Sequence, residues 1–222
     1  MLIKLRADLE KLKNPEKAKI LQGFFKTGKG DYGEGDIFLG ITVPDSRKIA
    51  IKYKDLTFSE ITKLLKAKIH EERLVALLIL VNNFTPSLRA KPRLPDGQGS
   101  NLLNEQKKIY AFYLKNTKYI NNWDLVDLSA PKIIGEYLMG NEIPNQVRDD
   151  VLINLARSTN LWERRIAIIA TYEFIWKAGQ YKDTFKIAEI LLPDKHDLIQ
   201  KAVGWMLREV GKRISQEVEE EF

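Results

Sequence analysis

Trp123, Asp127 and Pro131 follow one another at intervals of four residues within the stretch NNWDLVDLSAPK, residues 121–132. Side chains four apart lie on one face of an α-helix, so the indole and the carboxylate can point into the same space. Pro131 lacks the N–H that would bond the carbonyl of residue 127, so the helix should bend or end there. This break could aim Asp127 into a groove, and a helix boundary without functional meaning explains the proline equally well.

Two later segments place a tryptophan within one helical turn of a cation. Trp162 precedes Arg165 by three residues, and Trp205 follows Lys201 by four. Arg165 lies 38 positions after Asp127, and Lys201 lies 36 positions after Arg165. Such spacings are typical of helical-hairpin repeats that stack into a solenoid, in which matching positions line one surface. We therefore expect Asp127, Arg165 and Lys201 to lie side by side along one face.

A face of this composition suits a sugar–phosphate target. Arg165, Lys201 and Arg208 could hold phosphates, and indole faces attract cations and pack on sugar C–H groups. A carboxylate among them could stabilise a positively charged, oxocarbenium-like sugar or orient a water molecule. Tryptophans more often pack in cores, a role expected for Trp162 and Trp176, and aspartates are more often solvated or cap helices. Residue types alone leave both interpretations open.

The composition is that of a globular protein without cysteine chemistry. Of the 222 residues, 44% are hydrophobic and 30% are charged, enough to bury a core as one domain or as an array of units. The absence of cysteine excludes disulfides, thiolate zinc sites and a cysteine nucleophile. The two histidines, His70 and His196, lack metal-ligand spacing, so no metal site is expected. The chain start does not resemble a signal peptide and the apolar run 75–81 is too short to span a bilayer, so we expect a cytoplasmic protein.

The charge distribution favours a polyanionic partner. The net charge is +6, and because four glutamates fall within the last six residues, the rest of the chain carries +10. Nucleic acid is the first candidate for such a body and an anionic membrane surface is the second. A basic surface that serves solubility alone remains an alternative.

Helical periodicity dominates the chain. Apolar residues recur at i, i+3 and i+4, for example over residues 61–69 and 74–81, whereas no convincing alternation predicts a strand. Capping residues predict helix starts at 14–17, 44–45 and 158–160.

Two segments interrupt this helical pattern. Residues 28–35 form a glycine-rich loop, which lacks the Gly-Lys-Ser/Thr ending and preceding strand of a phosphate-binding loop. Residues 85–100 hold three prolines and two glycines and should form an exposed loop or insertion.

The chain resembles the bacterial and archaeal DNA alkylation-repair glycosylases of the AlkD type, which are built from HEAT-like helical repeats. This resemblance implies an all-α fold of HEAT-like repeats, stacked into a curved α-solenoid with a basic concave face. It implies a single domain over 1–222, with 85–100 as an exposed insertion and 216–222 as an acidic tail. The motifs that carry it, in order, are 14–18 (NPEKA), 38–41 (FLGI) with Pro44, 123–127 (WDLVD), 160–168 (NLWERRIAI) and 199–209 (IQKAVGWMLRE).

The family removes N3- and N7-alkylated purines, whose positive charge makes them good leaving groups, without flipping the base into a pocket. Carried over by motif, Asp127 is the catalytic carboxylate, which stabilises the developing sugar cation and positions water. Trp123 and Trp205 contact the deoxyribose, and Arg165 matches the family's functional arginine. No metal or cofactor is implied. The implied DNA-binding residues are Phe24, Pro44, Arg47, Arg164 (in place of Arg165 if the register is off by one), Lys201 and Arg208.

The chain departs from the family pattern at three places. Phe24 stands where the family can present a tyrosine, and the loops 28–35 and 85–100 look longer than usual. No lysine is placed as a Schiff-base nucleophile, so the resemblance implies a monofunctional hydrolase. Its partner would be duplex DNA with alkylated purines, bound by a monomer without membrane association. The alternatives are a non-catalytic DNA-binding repeat protein and a helical scaffold for other proteins.

Overall fold

The structure, a computed structural model, describes residues 1–85, 98–140, 143–220 and 222, and only the backbone of 98–100. Across these residues the regular structure is helical, and the sole β-type pairing among them is an isolated parallel bridge between Ile37 and Ile69. The predicted all-α fold is therefore confirmed. The chain forms two compact units, Met1–Leu125 and Val126–Phe222.

Helix starts in the first unit follow from capping side chains. Asn14 accepts a hydrogen bond from the N–H of Lys17 at 3.0 Å, which confirms the predicted start at 14–17. The start predicted at 44–45 is found one residue earlier, at Val43, with Thr42 as the cap and Pro44 in the first turn. The helices of this unit are α1 (Leu2–Lys11), α2 (Pro15–Phe24), α3 (Val43–Lys52), α4 (Phe58–Leu65), α5 (His70–Phe84) and α6 (Gln98–Lys115), with a 3-10 turn at Thr117–Tyr119.

Helix α5 is the central element of the first unit. It packs against α3, α4 and α6, and its apolar positions within 74–81 are all buried, as their spacing predicts. Its first turn is also buried although it is charged. Here the carboxylate of Glu71 accepts the backbone N–H groups of 39–41 at 2.8–3.2 Å and fixes the loop that precedes α3. Gly40 in this loop has φ +82°, and a Cβ there would lie 2.2 Å from the carbonyl oxygen of Asn14.

The structure describes the first predicted loop in full and only part of the second. The glycine-rich segment 28–35 is a succession of turns, in which Gly30 and Gly35 have positive φ angles of 82° and 83°. Of the predicted loop 85–100, residues 86–97 lie outside the described part of the chain. Its last three residues belong to α6, which begins at Gln98.

The predicted helix break at Pro131 is confirmed. Helix α7 (Trp123–Ala130) begins at the end of the first unit, and it ends where Pro131–Gly135 forms a π-helical turn. Within the second unit, Gly135 packs closely against α10 (Leu161–Ala170), since a Cβ there would lie 2.3 Å from the carbonyl oxygen of Ala170. The remaining helices of this unit are α8 (Glu136–Met139), α9 (Asn145–Ala156), α10 (Leu161–Ala170), α11 (Tyr172–Ala178), α12 (Lys182–Leu191), α13 (Asp197–Arg213) and α14 (Gln216–Glu220).

Helix α10 forms the core of the second unit, where it contacts α9, α12 and α13. Asn160 caps it by accepting the N–H of Trp162 at 3.0 Å, as predicted. The acidic segment 216–222 contributes α14, which packs on α13. In the described residues, no helix is long and apolar enough to cross a membrane.

Candidate active site

Asp127 and Arg165 form a bidentate ion pair within the second unit. Arg165 donates from Nε to Oδ1 of Asp127 at 2.9 Å and from Nη2 to Oδ2 at 2.8 Å. Its Nη1 donates to the carbonyl oxygen of Leu198 at 2.6 Å, at the start of α13. The adjacency predicted from the 38-residue spacing is therefore observed, and the arginine links the carboxylate to the next helical hairpin.

This pair is largely withdrawn from solvent. The side chain of Arg165 is 6% exposed and that of Asp127 is 16% exposed. Arg165 lies on the buried face of α10, which also carries Trp162 and Ile166. Its guanidinium is thus engaged by Asp127 and a carbonyl, not by the phosphates expected from the sequence. Because guanidinium is always protonated and its two parallel bonds match a carboxylate, this pairing holds Asp127 in one orientation.

Trp205 is half-buried on α13 and has partners that the sequence interpretation missed. Its Nε1 donates to Oε1 of Glu209 at 3.3 Å, and Oε2 of Glu209 accepts from Nε of Arg213 at 2.7 Å. The ring of Tyr172 lies 6.1 Å from the indole. The spacing of four residues between Trp205 and Glu209 was a readable signal, since such positions face each other on a helix.

The two other tryptophans of the second unit differ from each other. Trp162 is 7% exposed, which confirms its predicted core role. The same prediction for Trp176 is wrong, because that side chain is 52% exposed. The guanidinium of Arg213 lies 3.8 Å from the Trp176 ring centroid, and Tyr172 stacks on Trp176 at 6.3 Å. Cation–π contact and stacking stabilise this indole at the surface.

The cations predicted to bind DNA in the second unit fall into two classes. Lys201 and Arg208 are exposed, and the pair between Lys201 and Asp197 at 3.0 Å is so open to solvent that it stabilises little. Arg164 is instead held by the protein. It donates to Asp194 at 2.6 Å and to the carbonyls of 158 and 159 at 3.0 Å each, which restricts its reach toward a phosphate.

In the first unit, Trp123 heads a column of rings. It stacks on Phe25 at 5.0 Å, Phe25 stacks on Phe38 at 5.0 Å, and Phe38 stacks on His70 at 4.4 Å. Phe24, which is 62% exposed, meets Trp123 edge to face at 5.8 Å. The phenylalanine therefore keeps a ring beside the indole despite the missing hydroxyl.

The other DNA contacts predicted for the first unit lie on α3. Pro44 and Arg47 fall in its first turns and are exposed. The arginine is therefore placed where solvent, or a partner in solution, can reach it.

A buried cluster of charged and polar side chains adjoins this column, and the sequence interpretation missed it. Nε2 of His70 lies 2.8 Å from Oδ2 of Asp124, and its Nδ1 lies 3.3 Å from Oδ2 of Asp36. Arg73 donates to the same Asp36 oxygen at 2.5 Å, and Asn122 does so at 3.4 Å. The two carboxylates meet opposite edges of the imidazole. No group of acidic and histidine side chains in the part of the chain that is described is arranged to hold a metal ion.

The cluster shifts the protonation of its members. Burial lowers the pKa of His70, but the charge of Asp124 and the hydrogen bonds with Asp124 and Asp36 outweigh it and raise the pKa to about 8. Burial raises the pKa of Asp36, yet the hydrogen bonds from His70 and Arg73 hold it below its usual value. At neutral pH the imidazole is therefore a cation between two carboxylates.

Comparison with known proteins agrees with this architecture. The model of the family described as DNA alkylation repair enzyme matches residues 5–222, which spans both units. A solved structure described as a predicted DNA alkylation repair enzyme from Enterococcus faecalis is 20% identical, with a TM-score of 0.58. The match covers 94% of this chain and 87% of that one, which shows a shared fold. No curated protein matches the chain. By the extent of the family match, the chain belongs to the DNA alkylation repair enzymes.

Proposed function

We propose that this protein is a monofunctional DNA glycosylase that hydrolyses the N-glycosidic bond of positively charged N3- and N7-alkylated purines in duplex DNA. Membership of the family gives the broader role, the repair of alkylated DNA. The observation that carries the finer proposal is the Asp127–Arg165 pair. It offers a carboxylate that is oriented by two hydrogen bonds and still 16% exposed.

The chemistry needs a negative charge more than a strong acid or base. Alkylation at N3 or N7 gives the purine a formal positive charge. When the bond from C1′ to the base nitrogen breaks, its electron pair returns to the base, which leaves as a neutral molecule. The sugar then carries the positive charge, and the Asp127 carboxylate stabilises it. Water attacks C1′, and its proton passes to the carboxylate or to solvent, so the products are the free base and an abasic site.

Arg165 acts on this step through Asp127. It holds both carboxylate oxygens in place, so that little reorganisation is needed when the sugar becomes charged. Its own positive charge weakens the field of Asp127 at long range, so the stabilisation must come from close approach. At about 4 Å and an effective dielectric constant of about 20, a carboxylate attracts a sugar cation by about 4 kcal/mol.

The remaining residues supply contacts in this proposal. Trp123 and Trp205 contact the deoxyribose of the damaged nucleotide, whose base is not flipped into a pocket. Phe24 extends the aromatic surface. The DNA backbone is held by exposed cations together with Pro44, and the enzyme acts as a cytoplasmic monomer without metal or cofactor. The proposed backbone contacts are Pro44, Arg47, Lys201 and Arg208, with Arg164 restricted by its internal bonds.

A base-release assay tests the proposal. Duplexes with a single 7-methylguanine or 3-methyladenine are expected to lose that base, whereas a matched O6-methylguanine duplex is expected to stay intact. The reason is that only the first two bases are cationic. Tight duplex binding without release of any alkylated base would identify a non-catalytic DNA-binding protein. No affinity for DNA at low salt would leave the protein-scaffold function.

The exposed cations give a prediction about salt. Lys201→Ala and Arg208→Ala are each expected to weaken duplex binding by about threefold to tenfold at moderate salt. Each should also reduce, by about one, the slope of the logarithm of the duplex-binding constant against the logarithm of salt concentration, because one phosphate contact is lost. Fluorescence anisotropy of a labelled duplex measures both. Lys186→Ala is the matched control, since Lys186 is a half-exposed lysine on α12 that pairs with Asp149 on α9. An unchanged slope in the two test variants would remove these residues from the interface.

A further inference from the structure

The buried cluster of Asp36, His70, Arg73, Asn122 and Asp124 takes no part in the chemistry proposed above. All five side chains belong to residues that are at least nine-tenths buried. Burying charged groups costs free energy that their pairing only partly recovers. A cluster of this kind, placed beside a functional residue, therefore calls for a specific role.

The cluster reaches Trp123 by two routes. Through the backbone, Asn122 Oδ1 accepts the N–H of Trp123 at 2.8 Å, and Asp124 follows Trp123 directly in α7. Through the side chains, His70 stacks on Phe38, and the column continues through Phe25 to the indole. The partly exposed Trp123 is thus the outer end of a structure whose inner end is His70.

We propose that His70 is a positioning residue for Trp123, holding the start of α7 and the indole in place by bridging Asp36 and Asp124. The inference rests on the proposed function, in which Trp123 contacts the lesion sugar. His70 itself lies inside the protein and touches no substrate in this scheme. Its effect is on the rate of base release rather than on general affinity for DNA.

The bridge depends on both ring nitrogens carrying a proton. A protonated imidazole donates to Asp124 from Nε2 and to Asp36 from Nδ1, whereas a neutral imidazole can donate from only one nitrogen. Loss of the proton therefore leaves one carboxylate facing a lone pair. The pKa of His70 is raised to about 8, so its stabilising contribution is complete below about pH 6.5. That contribution is lost as the pH rises through about 8.

The charges around His70 come from three elements. Its own helix contributes Arg73, whose Nη2 lies 3.5 Å from Nδ1, and the neighbouring Glu71, which is bound to backbone N–H groups. The segment before Ile37 contributes Asp36, and α7 contributes Asp124. The stacked ring of Phe38 is uncharged. The two carboxylates next to the ring thus outweigh the single guanidinium.

The test follows His70 and Trp123 in the same free protein. The chain has two histidines, so ring ¹H–¹⁵N spectra report the pKa of each, and His196→Asn removes the second while keeping a capping side chain. The indole N–H signal of Trp123, assigned by its absence in Trp123→Phe, is expected to shift with the midpoint of His70. A Trp123 signal that stays constant through that midpoint would overturn the proposal.

Single-turnover base release supplies the second measurement. In wild type and in His196→Asn, the rate is expected to fall as the pH rises through the midpoint of His70. His70→Gln keeps one donor and cannot titrate, so its rate at pH 7 should be lower by about tenfold to a hundredfold and flat across this range. Duplex affinity should change by less than about threefold. A fall in rate that persists in His70→Gln would contradict the proposal.

Failure of the proposed function gives a different result. Wild type would then release no base at any pH, while the titration of the Trp123 signal still decides whether His70 positions the indole. His70→Gln could fail to fold, in which case the wild-type midpoints of the histidine, the indole and the rate must coincide. Midpoints that differ by more than about one pH unit would reject the link.

Discussion

Asp127→Asn is expected to slow the release of 7-methylguanine from duplex DNA by about 10²- to 10³-fold in single turnover. The amide has the size of the carboxylate and still accepts a hydrogen bond from Arg165, but it carries no charge. An attraction of about 4 kcal/mol to the sugar cation corresponds to about 10³-fold in rate, so its loss accounts for the expected effect. Binding of the same duplex should be unchanged or slightly tighter, because a negative charge near the phosphates is removed.

The control must separate lost charge from lost structure. Asp183 is paired with Arg148 at 2.9 Å in the same unit, and its side chain is 8% exposed. Asp183→Asn therefore removes the charge from another buried carboxylate that faces an arginine, at a site without a proposed role in catalysis. It is expected to leave the rate within about threefold of wild type, whatever change urea unfolding shows in its stability. Equal rates for wild type and Asp127→Asn would remove Asp127 from the mechanism.

Local features of the fold were predictable where the physics is local. Asn14 and Asn160 cap helices because their side chains reach N–H groups two or three residues away. Pro131 ends α7 because its ring nitrogen has no proton to donate. The Asp127–Arg165 contact was predictable for a different reason. Successive helical hairpins repeat the same geometry, so a spacing of 38 residues brings matching positions together.

The environment of Arg165 was harder to foresee. Its position was read as a place on a groove that binds phosphates. It also falls three residues after Trp162 and four before Ile169, on the face of α10 that is buried. An arginine on an apolar stripe is stable only if its donors are satisfied, and here the carboxylate of Asp127 and the carbonyl of Leu198 satisfy them. The helical period could have indicated this, but the partners could not be identified without the fold.

The contacts of His70 and Trp176 show what one sequence does not contain. His70 meets partners 34 and 54 positions away, and neither separation is one of the 36- and 38-residue spacings read from the sequence. Trp176 is kept at the surface by Arg213 from another helix, so its own helical position does not indicate burial. Contacts of this kind arise when helices pack, and they follow from the tertiary arrangement rather than from the pattern within one helix.

Arg165→Lys is expected to lower the rate of base release by about tenfold to a hundredfold while the duplex affinity stays within about threefold. A lysine keeps the charge but is a single point donor on a flexible stem. It cannot hold both carboxylate oxygens and the carbonyl of Leu198 together, so the orientation of Asp127 is lost. Arg148→Lys is the matched control, since it makes the same change in the Arg148–Asp183 pair. It should leave the rate close to that of wild type.

A double-mutant cycle then separates the structural role of Arg165 from the chemistry of Asp127. Arg165→Met removes the guanidinium that pairs with the mostly buried Asp127 carboxylate and should reduce the free energy of unfolding by about 3–5 kcal/mol. Adding Asp127→Asn removes that charge, so the double variant should be more stable than Arg165→Met alone, with a coupling energy of about 0.5–3 kcal/mol in urea unfolding. Its base release should nevertheless stay as low as in Asp127→Asn.

If Arg165 instead bound a phosphate, Arg165→Met would reduce the salt slope of DNA binding by about one and show no coupling to Asp127. If the second substitution restores stability but not base release, Arg165 serves to hold the carboxylate and Asp127 acts in the reaction.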